Sequence, residues 1–106
     1  MSQDHLFDQL ESLDCLPSVK VLGREILKGM SENLTDVFLS DFEGDLILYW
    51  KWKELHHCCD IMQGDDGPFI RVKIHRRGGQ DLIKVFGGDT VLQCKEAVQL
   101  LLENFK

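Results

Sequence analysis

The run His56-His57-Cys58-Cys59-Asp60 puts imidazole, thiol and carboxylate groups into five consecutive residues. Such groups ligate zinc, or pair a thiol nucleophile with its base. Spacing limits both uses. In a strand, successive side chains alternate, so His56, Cys58 and Asp60 share one face while His57 and Cys59 share the other. At most three of the five can meet one ion, and the spacing matches no zinc finger or ribbon. His56, Cys58 and His75 are the candidates for a metal, with His75 supplied by a neighbouring strand. A buried or idle cysteine outweighs this reading, because free cysteine commonly packs as a small hydrophobe. The neighbours His57 and Cys58 point apart, so a thiol–base pair is better sought between His75 and Cys58. No oxyanion arrangement accompanies them.

Two glycine-containing stretches carry less chemistry. Gly87-Gly88-Asp89-Thr90 precedes a helix, where phosphate often binds, but an aspartate stands in the anion's place and the full glycine fingerprint is absent. Asp65-Asp66-Gly67 lacks the ligand spacing and distal glutamate of a calcium loop. It reads as a turn.

A third set consists of alternating cations. Lys51 and Lys53 on one strand, and Arg71, Lys73, His75 and Arg77 on another, fall on positions that can share one sheet face, with Tyr49 and Phe69 adding aromatic area. Such a face suits an acidic protein or single-stranded nucleic acid. The plainer alternative is a solvated outer face, partly neutralised by Glu54 and Asp60 or covered by the acidic first helix.

The totals frame these candidates. The chain has 106 residues and a net charge of −6, which disfavours non-specific nucleic-acid binding. The charge is uneven: residues 46–86 carry seven Lys/Arg against five Asp/Glu (net +2), whereas the remainder carries five against thirteen (net −8). One compact domain over 1–106 is expected from the length. No run approaches the ~20 apolar residues of a membrane span. The acidic start, MSQDHLFDQLESLD, has no basic segment followed by an apolar block, so a cytoplasmic location is the default expectation. Four cysteines without a dense framework, two of them vicinal, read as reduced thiols.

The elements that must position these residues follow from periodicity. Ser2 to Leu13 predicts a short helix capped by Ser2, with Leu6, Leu10 and Leu13 on one stripe. A second helix is expected after Ser18, where Val19, Leu22, Ile26, Met30 and Leu34 keep helical spacing; Gly23 and Gly29 weaken it by about 1 kcal/mol each. A strand over Val19–Leu22 is the alternative. Strands are predicted at 37–42, 46–52, 55–63, 69–77 and 82–86. Glu43-Gly44-Asp45, residues 51–54, Gly64 to Pro68 and Gly78-Gly79 make the turns between them. Thr90 with Gln93 reads as a capping box for a last helix carrying Cys94, Ala97, Val98, Leu101 and Phe105. Leu100 and Leu102 widen its apolar surface, which asks for a second packing partner, either the N-terminal helices or another subunit.

The expected fold is α+β: one or two N-terminal helices, an antiparallel meander of about five strands, and a C-terminal helix packed on one sheet face. The expected function is that of a small non-enzymatic binding protein, such as an inhibitor, adaptor or immunity-type factor. It would act on a protein partner or a second copy, with no cofactor and no membrane. A metal- or thiol-dependent enzyme centred on 56–60 is the first alternative. Single-stranded nucleic-acid binding through Tyr49, Lys51, Lys53, Phe69, Arg71, Lys73, His75 and Arg77 is the second.

Overall fold

A computed structural model describes residues 4–30, 37–52, 55–75 and 78–104, with the backbone alone at Asp4, Lys51, Trp52 and Leu55. The expectations placed on Ser2, Leu34, the Lys53–Glu54 reversal, Arg77 and Phe105 lie outside these residues.

Two helices come first, α1 (Asp4–Ser12) and α2 (Pro17–Gly29). The second starts earlier than its apolar spacing suggested. Pro17 sits at its first positions behind an extended Leu16, a place where the missing N–H removes no helical bond and the fixed φ already suits a helix. The Val19–Leu22 segment is therefore helical, not a strand. Its two glycines also have a positive role. A Cβ at Gly23 would collide with Leu46 Cδ2, and one at Gly29 would lie 2.8 Å from Val98 Cγ2. At these two points α2 approaches the sheet and the last helix so closely that alanine would require a neighbouring side chain to shift.

Five strands follow: β1 (Val37–Phe42), β2 (Asp45–Trp52), β3 (Leu55–Gly64), β4 (Gly67–Ile74) and β5 (Leu82–Phe86). They pair antiparallel in sequence order, a simple meander. Register follows from the short turns. Phe42 pairs with Asp45 across Glu43-Gly44, whose φ values are both positive, 52° and 91°. Two positive φ values match the twist of a two-residue hairpin and favour glycine at the second position. The same turn ties down the α1–α2 link, because Leu16 N donates to the Gly44 carbonyl at 3.0 Å. Trp52 pairs with Leu55, so β2 keeps its pairing through Trp52.

The last helix, α3 (Thr90–Glu103), lies against β4, β5 and α2. Its cap differs from the expected Thr90–Gln93 box. Asp89 is the N-cap, accepting from Leu92 N at 2.9 Å. Gln93 is buried instead, and its Nε2 donates to the Pro68 carbonyl at 3.1 Å and the Gly88 carbonyl at 3.3 Å. The side chain thus fastens the first turn of α3 to the start of β4.

All three helices cover the same face of the sheet. Leu46, Leu48, Trp50, Cys59, Ile61, Ile70, Val72 and Ile74 are buried on that face together with Leu10, Leu22, Ile26, Leu27, Ala97 and Leu101. The contact of α2 with α3 supplies the second packing surface for the last helix, where Leu100 and Leu102 end half-buried. A groove of about 960 Å³ still runs between α2 and α3, with Val21 and Val91 at its rims. No helix among the described residues is long and apolar enough to cross a membrane.

Candidate binding face

Among the described residues, no helix lies over the opposite face of the sheet. Antiparallel register aligns its residues in rows: Phe38, Tyr49, Cys58, Lys73 and Ile83 form one, and Ser40, Ile47, Asp60, Arg71 and Val85 the next. Each row crosses all five strands because directly paired residues project to the same side. The acidic α1 does not lie over them. Leu10 of α1 is packed on the far side, within reach of a Cβ on Gly23 that would also meet Leu46 and Ile61.

Apolar side chains remain in water on both edge strands. Phe38 and Phe42 on β1 are 60% and 62% exposed, and Ile83 and Val85 on β5 are 56% and 58% exposed. Isolated exposed apolar residues are ordinary; here they form two pairs on one face, one pair on each edge strand of the sheet. Reasoning from charge overlooked these four. The alternation of Phe38, Ser40 and Phe42 along β1 was the signal that could have placed two of them.

A band of rings also steps across the face. Phe38 and Tyr49 have centroids 6.2 Å apart, Tyr49 and His56 5.4 Å, and His56 and His75 6.2 Å. The last pair is held by strand geometry, with His75 N donating to the His56 carbonyl at 2.9 Å. Lys51 takes the register position opposite His56.

The structure brings Tyr49, Phe69, Arg71, Lys73 and His75 onto this face, but the face is mixed in charge. Arg71 donates to Asp60 Oδ2 from Nε at 3.1 Å and from Nη2 at 2.6 Å. Asp81 receives both Lys73 Nζ at 3.6 Å and His75 Nδ1 at 2.9 Å. The cations are about half exposed and the carboxylates less so, so solvent still screens each pair and holds it to about 1 kcal/mol. Their consequence is local neutralisation. Asp81, just beyond the Gly78-Gly79 turn, was not among the expected site residues.

The His-Cys run divides as strand alternation requires. His57 and Cys59 are buried under the helices, while His56 is exposed and Cys58 half-exposed on the bare face. His57 Nε2 donates to the Asn104 carbonyl at 3.1 Å, tying the core to the end of α3. Burial lowers the His57 pKa, opposed by that hydrogen bond. Burial raises the Cys58 thiol above its ordinary value, with Asp60 adding to it, and places Cys59 well above. Cys94 is pushed up to about 11, by burial first and Glu25 second. Cys15 is also raised, by burial and then Asp41. A nucleophilic cysteine needs the opposite shift. Among the described residues, no three His, Cys, Asp or Glu side chains converge as a metal shell.

No family model matches the chain, and comparisons with curated proteins and with solved structures also return no match. What the fold defines is an α+β architecture: a five-stranded antiparallel meander with three helices on one face.

Proposed function

We propose that this chain is a small non-enzymatic binding protein whose bare sheet face engages another protein. One observation carries the reading: the helices all pack on one side, leaving Phe38, Phe42, Ile83 and Val85 exposed on the other. Five strands spaced about 4.8 Å apart span roughly 19 Å from edge to edge, a width that fits within a standard interface. Aromatic residues and Arg71 are side chains that interfaces favour, and the paired charges give a polar component that sets register.

The test uses Ile83→Glu combined with Phe38→Glu, against Val21→Glu on the helix side as control. Sedimentation measures self-association, and quantitative co-purification measures partner retention. Selective loss in the sheet-face double variant, at unchanged melting temperature, is the expected outcome. If it matches the wild type in both assays, the reading fails.

Single-stranded nucleic acid is a second reading, favoured by the ring band from Phe38 to His75. It demands affinity that drops steeply with salt and with Lys73→Glu. The paired cations and the net charge of −6 give it less support. An enzyme centred on 56–60 has less support still, because its groups lie on two faces and its thiols are raised.

A further inference from the structure

We propose that His56 and His75 form a two-imidazole binding site for a borderline d-block dication such as Ni²⁺, Cu²⁺ or Zn²⁺. The two residues are cross-strand neighbours joined by the His75 N to His56 carbonyl bond, and both are exposed on the bare face. Their ring centroids lie 6.2 Å apart. Two imidazoles sharing one ion at about 2.0–2.1 Å place their centres roughly 5–6 Å apart. Side-chain rotation closes the difference, and the backbone stays where the sheet holds it.

A second observation concerns the proton. Asp81 Oδ1 lies 2.9 Å from His75 Nδ1. The carboxylate accepts, so Nδ1 carries the hydrogen, and in the neutral imidazole Nε2 is the nitrogen left to ligate. A carboxylate holding the far nitrogen is the usual outer partner of a metal-binding histidine; it fixes the ring and raises its basicity. Nitrogen donors without a carboxylate in direct contact select nickel, copper or zinc over magnesium or calcium. Lys73 beside Asp81 adds positive charge, which holds the affinity to a modest level. An ion held by two imidazoles keeps open positions on the solvent side. The site does not rest on the protein-partner reading, which stands whether or not the ion binds.

The experiment titrates the full chain with Ni²⁺, and separately with Zn²⁺ and Mg²⁺, by calorimetry and equilibrium dialysis. One saturable equivalent of Ni²⁺ or Zn²⁺ is expected, and none of Mg²⁺. His56→Ala and His75→Ala each lower affinity at least tenfold, and Asp81→Asn lowers it by up to about tenfold. All three positions are exposed, and circular dichroism verifies that the variants fold. No saturable binding by the wild type overturns the proposal. So does binding that survives both histidine substitutions, or binding lost with Cys58→Ser while both histidine variants retain it.

Discussion

The two faces of the sheet are made from the same strands, yet they do different work. Along β2, Leu46, Leu48 and Trp50 are fully buried, while Ile47 and Tyr49 between them are half-exposed. Along β4, Ile70, Val72 and Ile74 are buried, while Arg71 and Lys73 reach solvent. One face supplies the area removed from water, which is the main term in folding. The other contributes little to that term. The lesson is a division by strand parity: neighbouring residues differ in role because they differ in side.

Substitutions can break that comparison, and the largest effect belongs to Trp50. It is fully buried, so Trp50→Ala should cost about 3–5 kcal/mol, read as a urea midpoint shift. Phe38→Ala, on the exposed side of the neighbouring strand, should cost under about 1 kcal/mol. Similar losses at both sites would erase the distinction between the faces. Next comes Gly23→Ala. Alanine gains about 1 kcal/mol of helix propensity, but its Cβ collides with Leu46 Cδ2 in a packed core. Overpacking costs about 1–3 kcal/mol, so a net loss of about 1 kcal/mol is expected; a stabilised variant would show that α2 is not seated on the sheet as described.

A smaller effect separates the two cap candidates. Asp89→Ala should lose about 1 kcal/mol because Leu92 N loses its acceptor. Thr90→Ala should stay within about 0.5 kcal/mol. The reverse order in thermal melts would restore the Thr90–Gln93 box.

The smallest effect is linked to pH. Burial sets the His57 pKa below 6.5. Between its folded value and 6.5 the unfolded chain takes up a proton that the folded chain refuses. Stability therefore rises with pH across that window and is lost as pH falls below 6.5. Urea midpoints of wild type minus His57→Gln should show this slope, and a flat difference from pH 7.5 to 5 would contradict it. His56, exposed on the other face, serves as the comparison, and His56→Gln should leave the slope in place.

Much of the architecture was legible beforehand because local rules and tertiary packing agree. Strand alternation in Leu46 to Trp52 and Phe69 to Ile74, with turn residues at 43–45 and 64–68, was enough for the meander. The glycines of α2 were misleading, since propensity counts only their cost, while their use depends on Leu46 and Val98, residues distant in sequence. The cap at α3 was displaced by one residue because Gln93 had a better use. Its amide reaches carbonyls of β4 and the Gly88 turn that no local pattern announces.

The candidate face was only half readable. Alternation showed that Arg71 and Lys73 share a side, and that the His-Cys run divides. Charge counting made that side look basic. Asp60 is the register partner of Arg71, and Asp81 returns through the β4–β5 connection to meet Lys73 and His75. Such pairings depend on register and on where a loop brings the chain back.

The sequence by itself determined the α+β class, the order of the strands' turns, and which residues of each strand share a side, because periodicity and turn chemistry are local. Only the tertiary structure decided that the three helices cover the same face, since helix placement depends on distant contacts such as Gly23 beside Leu46 and Gly29 beside Val98. That choice leaves Phe38, Tyr49, His56, His75, Ile83 and Val85 on one uncovered surface. The opening run of imidazoles and thiols thereby becomes two separate things: a buried His57 that ties the core to α3, and an exposed His56 that meets His75 across the strands.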